Sequence, residues 1–282
     1  MSDGKRVLIT GCSTGIGRET ALHLTRNGWS VIATARKPET LADLAEAGCE
    51  TLALDVTDEV SMQAAVEAAG PLYGLVNNAG YSQSGAIESV ELDSVRRQFE
   101  TNVFGLIRMS QLVLPAMREA GEGRIVNISS MGGRLTFPGG GIYHATKYAV
   151  EAISDAMRFE VRGFGVAVVC IEPGLIKTEF GNAAVGSIAE GTGSSGPYAE
   201  FNAHVAEATA GVYEDGPLAK LGAGPDAVAA KIEKALTAGR TRARYRVTPS
   251  AHLAIAQRRI VSDRVWDAMM RTQFPTPGKR GS

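Results

Sequence analysis

The sequence predicts a single α/β domain built on a doubly wound parallel sheet with helices on both faces. Three observations carry this. Short runs of Val, Ile and Leu lack polar alternation, as in strands buried on both faces. These runs alternate with longer helical stretches, the order of repeated strand–helix–strand units. The length, 282 residues, suits one large sheet and leaves no room for a second domain of similar size.

Taken in order, Val7–Thr10 is the first strand, and a helix over Thr14–Asn27 follows, stopped by Gly28. Strands at Ser30–Thr34 and Thr51–Asp55 precede a helix over Asp58–Ala69, capped by Thr57 or Asp58. Strand Gly74–Asn77 leads to a long helical stretch, Val90–Ala120, where Pro115 predicts a kink or break. Strand Arg124–Ile128, helix Tyr143–Arg162 ending at Gly163, and strand Val166–Glu172 complete the alternation. From 181 to 224 the pattern dissolves into Gly, Ser, Ala and Glu, with a strong loop signal at Thr192–Pro197. This segment reads as a lid over a site, since too little chain follows to form another domain. Helix Pro225–Ala238, strand Arg244–Thr248, helix Ala251–Met270 and a frayed tail from Phe274 to Ser282 end the chain.

Composition narrows the function classes. With 44% hydrophobic and 21% charged residues the chain is an ordinary soluble globular protein. A net charge of −1 offers no footprint for nucleic acid or an anionic membrane. The small basic groups at Arg240–Arg246 and Arg258–Arg259 read as solvated faces. Cys12, Cys49 and Cys170 lack metal-ligand spacing, so small buried thiols in the cytoplasm are expected. The first strand begins too early for a signal peptide, and no apolar run nears the roughly 20 residues that span a bilayer. His23, His144, His204 and His252 are dispersed, so no metal site is expected.

The chemistry begins at Thr10-Gly11-Cys12-Ser13-Thr14-Gly15-Ile16-Gly17, between the first strand and first helix. Glycine there admits positive φ and close approach of a ligand, and the helix N-terminus offers N–H groups and a positive dipole to a pyrophosphate. The TGxxxGxG spacing differs from the commoner GxGxxG fingerprint. Asn77-Asn78-Ala79-Gly80, Asn102, Ser130, Tyr143-xxx-Lys147 and Pro173-Gly174 follow in order. Together these motifs resemble the short-chain dehydrogenase/reductase family, from Arg6 to about Glu179, and the resemblance implies a Rossmann-type fold. Val31–Arg36 and Ile171–Gly174 look like its NADP-preferring, hydroxysteroid-dehydrogenase-like branch.

The resemblance assigns the dinucleotide to Gly11, Ser13, Thr14, Gly15, Ile16 and Gly17, to Asp55 and Val56 at the adenine, and to Asn78, Ala79 and Gly80 beside the ribose. Pro173, Gly174, Ile176 and Thr178 would contact the carboxamide. Where NAD-preferring members carry an acid after the second strand, this chain has Ala35 followed by Arg36. A guanidinium binds a 2′-phosphate that an acid would repel, so Arg36, helped by Lys37, argues for NADP(H) over NAD(H).

Reducing a carbonyl leaves negative charge on oxygen, which asks for a proton donor and nearby positive charge. Tyr143 and Lys147 are four apart, on one helix face. A free tyrosine titrates near pH 10, and an adjacent ammonium favours its phenolate. By resemblance Tyr143 is the general acid/base, Lys147 also holds the nicotinamide ribose, and Ser130, thirteen residues before Tyr143, binds the substrate oxygen. Ser129 reads as structural, and Asn102 resembles the holder of a relay water. His144 reads as helix-surface filler. The wall for a carbonyl or alcohol of moderate size is expected from Met131–Ile142 and the 181–224 lid, whose polar, small-residue composition does not suit a sterol. Helices Val90–Ala120 and Tyr143–Arg162 resemble a family oligomer interface, implying a homodimer or homotetramer. The competing class is a catalytically idle dinucleotide-sensing regulator, which would have no use for Ser130, Tyr143 and Lys147 together.

Overall fold

The computed structural model describes residues 4–179, 186, 188, 196–213 and 221–278. Seven strands, all parallel, form one sheet in the order β3-β2-β1-β4-β5-β6-β7. They are β1 (Arg6–Ile9), β2 (Ser30–Ala35), β3 (Glu50–Ala53), β4 (Gly74–Asn77), β5 (Gly123–Ile128), β6 (Val166–Glu172) and β7 (Arg244–Arg246). Apolar residues point alternately to two cores. Val7, Ile9, Val126 and Ile171 pack on one face under α1 (Gly15–Arg26) and, later in the chain, the helix Pro225–Thr237. Leu8, Leu75, Ile125 and Val168 pack on the other face. That face is covered by α3 (Glu59–Ala69), α5 (Gly105–Ala120) and α6 (Gly141–Val161). Each such fully buried side chain contributes about 1.5–3 kcal/mol. A short α2 (Ala42–Glu46) lies between β2 and β3.

Several predicted boundaries hold. Helix α1 is followed by Gly28 at φ +79°, and α3 is capped by Asp58, which accepts from the N–H groups of Val60 and Ser61. Others are corrected. The Val90–Ala120 stretch divides into α4 (Leu92–Phe99), a π-helical turn (Glu100–Phe104) and α5, while Pro115 sits inside α5 without ending it. The irregularity lies where the carboxamide of Asn102 is drawn out to bind Tyr81 and Thr146. Helix α6 passes Gly163 through a 3₁₀ turn and stops at Gly165, at φ +77°.

The expectation that 181–224 is all loop is corrected too. Part of that segment is helix α7 (Ala199–Tyr213), whose Phe201 and Val205 are buried against Ala86. The remainder, 181–185, 187, 189–195 and 214–220, lies outside the described residues, and with it most of the Thr192–Pro197 loop signal. Helix α8 is Pro225–Thr237. The single helix expected over Ala251–Met270 is two, α9 (Pro249–Ile260) and α10 (Asp263–Gln273), separated at Val261-Ser262. Phe274, assigned to a frayed tail, packs against the α7 and α10 clusters, and 279–282 lie outside the described residues. Among the described residues no helix is long and apolar enough to cross a membrane.

The strand order reverses between β1 and β4, and this is where a parallel sheet opens a crevice at its carboxyl edge. Helix α1 presses directly on that crossover. A β-carbon on Gly17 would fall 2.3 Å from the carbonyl oxygen of Gly11 and 2.4 Å from Asn78 Nδ2. Gly17→Ala is therefore expected to overpack the crossover and destabilise the fold by about 1–3 kcal/mol. A denaturant midpoint equal to that of the parent protein would contradict this.

Candidate active site

A cavity of about 1330 Å³ opens over the carboxyl ends of β1, β2, β4, β5 and β6. Its floor is the glycine-rich turn. Gly11 sits at φ +72°, where a β-carbon would come within 2.9 Å of Ala79 Cα, so the turn can lie against the β4 turn only as glycine. Thr14, the N-cap of α1, makes no side-chain capping bond, which leaves first-turn N–H groups for a ligand oxygen. Gly11, Ser13, Thr14, Gly15 and Ile16 all line the cavity. Gly17 does not; its place is beneath the turn, in packing.

The other positions expected to hold a dinucleotide line the same cavity: Arg36, Asp55, Val56, Asn78, Ala79, Gly80, Pro173, Gly174, Ile176 and Thr178. Arg36 is exposed at the end of β2, and Lys37 is not part of the lining. Asp55 Oδ1 accepts from the N–H and hydroxyl of Thr57, at 2.9 and 2.7 Å, which fixes the carboxylate at the rim. Asn78 is held by its own amide, which donates to the carbonyls of Thr10 and Gly11, both at 2.9 Å. These residues line one groove, with the glycine-rich turn and the uncapped first turn of α1 on its floor and the Arg36 guanidinium at one end.

At the opposite wall stand Ser130, Tyr143 and Lys147. Ser130 follows β5 and caps a 3₁₀ turn (Met131–Gly133), its Oγ accepting from Gly132 N–H at 3.0 Å. That turn is tied to β6 by Met131 N–H donating to Pro173 O at 2.8 Å. Tyr143 lies half-buried in the first turn of α6. One turn on, buried Lys147 donates to Ile128 O at 2.8 Å and lies 5.7 Å from the Tyr143 ring centroid. Burial pushes the Lys147 ammonium down to about 8, with Cys170 and Glu151 acting weakly the other way. Buried Asn102 does not line the cavity. Its Oδ1 accepts from Tyr81 N–H at 3.1 Å, and its Nδ2 donates to Tyr81 O and Thr146 Oγ1. Buried Ser129 also faces the cavity, and its hydroxyl has no hydrogen-bond partner among the described residues.

His144 is not surface filler. It is buried between two loops, its Nδ1 within 3.0 Å of Gly132 O and its Nε2 accepting from Phe137 N–H at 3.3 Å. Since a backbone N–H can only donate, Nε2 is the acceptor and Nδ1 carries the proton. The nearest sequence cue was its proximity to Gly132 and Phe137 in a chain folding back on itself, which periodicity along one helix does not register.

The distal part of the cavity departs most from expectation. Val205 of α7, Leu253 and Ala254 of α9, Trp266, Met269 and Met270 of α10, and Phe274 line it, with Phe137. Trp266 and Met270 of this wall are packed in turn against buried Ile255 and Leu135. The wall is therefore mostly apolar, with Thr209, Gln257 and Gln273 among its lining, and comes mainly from the C-terminal helices. Tyr81, Ser82 and Ser84, in the chain after the β4 turn, are further lining residues that carried no motif.

The sequence matches the short chain dehydrogenase family over residues 5–186. It is 35% identical over 272 residues to the uncharacterized oxidoreductase YbbO of Escherichia coli K12, covering 95% of this chain and 94% of that one. It is also 35% identical over 276 residues to the NADPH-dependent 3-dehydrocapnine reductase of Ornithobacterium rhinotracheale, covering 92% and 94% of the two chains. A short-chain dehydrogenase structure from Streptomyces avermitilis superposes with TM-score 0.79 at 34% identity, covering 96% of each chain. A closed serine dehydrogenase complexed with NADP+ superposes with TM-score 0.74 at 28% identity, over 86% of this chain and 94% of that one. The chain belongs to the short-chain dehydrogenase family, oxidoreductases that act on alcohol and carbonyl groups.

The burial of His144 has a pH consequence. Desolvation pushes the imidazole from 6.5 down to about 4, the bond to Gly132 O opposing it. Between those values the unfolded chain binds a proton that the folded one does not, so stability is lost as pH falls from about 6.5 towards 4. The expected loss from this group is on the order of 3 kcal/mol. Thermal denaturation across that range should show a shallower fall for His144→Gln than for the parent; equal slopes would remove His144 as the cause.

Proposed function

We propose that the protein is an NADP(H)-dependent oxidoreductase interconverting a ketone or aldehyde and its alcohol, with Tyr143 as general acid/base. The observation that carries this reading is the convergence of Ser130, Tyr143 and Lys147 on one wall of a cavity whose floor is a glycine-rich turn. The nicotinamide, when bound, supplies or accepts the hydride. The first-turn N–H groups of α1 would hold the pyrophosphate, Asp55 and Val56 the adenine, and Asn78 to Gly80 the ribose side. Pro173, Gly174, Ile176 and Thr178 would hold the carboxamide.

In the reductive direction the Ser130 hydroxyl, which accepts from Gly132 N–H, keeps its own proton to donate to the substrate oxygen. Tyr143 gives its phenolic proton to that oxygen as negative charge develops there. Lys147 supplies positive charge from a buried position, where an ammonium acts more strongly than in water. Its reach to the nicotinamide ribose and the relay assigned to Asn102 rest on the family pattern. Both agree with Gly80, where a β-carbon would sit 3.0 Å from Asn102 Oδ1 and 3.8 Å from Lys147 Nζ. Arg36 at the end of β2 supports NADP(H), as does the NADPH named for the capnine reductase.

The apolar wall of α9, α10 and Phe274 favours a carbonyl borne on an extended apolar chain. The assembly we propose is a cytoplasmic homodimer or homotetramer. Exposed Phe104, in the turn before α5, and Tyr148 and Phe159 on α6 support a packed face there, Phe159 being 81% exposed.

NADPH oxidation against a series of aliphatic ketones of rising chain length tests the whole reading, with kcat/KM expected to rise with length. In that assay Tyr143→Phe should keep NADPH binding and lose about 10²–10⁴ in kcat; turnover within a few-fold of the parent would refute the general acid. Arg36→Asp should weaken NADPH binding and shift preference towards NADH. An unchanged ratio of kcat/KM for the two cofactors would refute the 2′-phosphate contact.

A further inference from the structure

Outside the active-site cavity, α8 and β7 enclose a second recess, of about 290 Å³. Its lining is almost wholly basic: Lys231 and Lys234 from α8, Arg242, Arg244 and Arg246 along β7 and its approach, and the imidazole of His252 from the first turn of α9. The one remaining lining residue is Tyr245, which is itself buried.

Three carboxylates face this cluster from behind. Glu151 and Asp155 of α6 bind Arg244 at 2.7 and 2.6 Å, and Glu172 of β6 binds Arg244 and Arg246 at 3.3 and 3.2 Å. The same carboxylates also serve Arg134, at 3.9 and 4.0 Å, and Arg158, at 2.5 Å. Four arginines thus share three acids. Lys231, Lys234 and Arg242 have no carboxylate within ion-pair distance among the described residues. Lys231, Lys234 and Arg242, which those carboxylates do not offset, thus stand around one concavity beside the paired Arg244 and Arg246, where a bound anion would offset them.

We propose that this recess is a binding site for a soluble phosphomonoester, separate from the dinucleotide groove. Guanidinium forks and ammonium groups together suit a doubly charged tetrahedral anion, and Arg244 and Arg246 are already oriented by their buried partners. The volume is at the small end of ligand sites, about 300 Å³, enough for a phosphate and a short organic body. No exposed large apolar side chain belongs to the lining, which argues against a lipid headgroup with its chains.

Titration calorimetry with glycerol 3-phosphate, at ionic strength held constant with sodium chloride, tests the site. The parent protein should bind with one-site saturation, and Lys231→Ala/Arg242→Ala should weaken that binding at least tenfold with its circular dichroism and melting profile intact. Failure to saturate, or equal binding by the double variant, would overturn the proposal. So would capture by phosphatidylglycerol vesicles without binding of glycerol 3-phosphate. None of these readouts depends on the redox activity, so failure here leaves the proposed function standing, and the reverse also holds.

Discussion

Thr10 and Asn78 stand at the ends of β1 and β4, the two strands from which the sheet winds in opposite directions. The Thr10 hydroxyl accepts from the N–H groups of Asn78 and Ala79 at 3.0 and 2.9 Å, and the Asn78 amide donates back to the carbonyls of Thr10 and Gly11. At a parallel crossover the two turns have no ladder partner in common, and a backbone group left unpaired in a buried place costs about 1–3 kcal/mol. These four bonds pair the Ala79 N–H and reinforce the bond that the Asn78 N–H also makes to Val76 O at 3.0 Å. They also fix how far apart the glycine-rich turn and the Ala79-Gly80 turn lie, and so set the width of the groove between them. Gly11 and Gly17 are small because this clamp leaves no room for anything else.

A second set of buried bonds carries the registration across to α6. Asn77 Nδ2 on β4 donates to Ser110 Oγ on α5 and to Asn127 Oδ1 on β5, and Asn127 Nδ2 donates to Ser154 Oγ on α6. Ser110 and Ser154 each donate to a carbonyl four residues back in their own helices. Apolar packing alone would let a helix slide along the sheet by a fraction of a turn at small cost. Directional bonds in a low-dielectric interior would not. The helix that presents Tyr143 and Lys147 is thus indexed to the strand that leads into Asn78, with Asn102 adding a third tie through Thr146.

The sheet and the near wall of the site were legible because their signals are local. Strand cores, the cap at Asp58 and the glycine-rich turn each occupy a few consecutive residues. The misreadings share a physical origin in contacts between segments far apart in the chain. Pro115 was expected to break a helix, yet the break occurs at Glu100–Phe104, where Asn102 is bound to Tyr81 and Thr146. Ser262 N-caps α10 within what reads as one continuous helical period. The far wall comes from α7, α9, α10 and Phe274, whose apolar residues look like ordinary helix faces until the chain brings them over the cavity. A polar lid composition therefore said little about the surface a ligand meets.

His144 and Lys147 show how the same burial acts differently on neighbouring groups. Both lie on α6 within one turn, both are removed from water, and desolvation lowers the affinity of each for its proton. Starting from different ordinary values, they end at about 4 and about 8. Across the neutral range His144 is therefore a neutral strut with a fixed tautomer, bonded to Gly132 and Phe137. Lys147 remains mostly charged, near the point where its proton becomes mobile. An arginine in place of Lys147 would stay charged throughout and could not approach such a balance. The chemistry proposed for Tyr143 thus depends less on charge at this wall than on how the fold hides it, and the clamp at Thr10 and Asn78 begins that concealment by bringing β4 and β1 together.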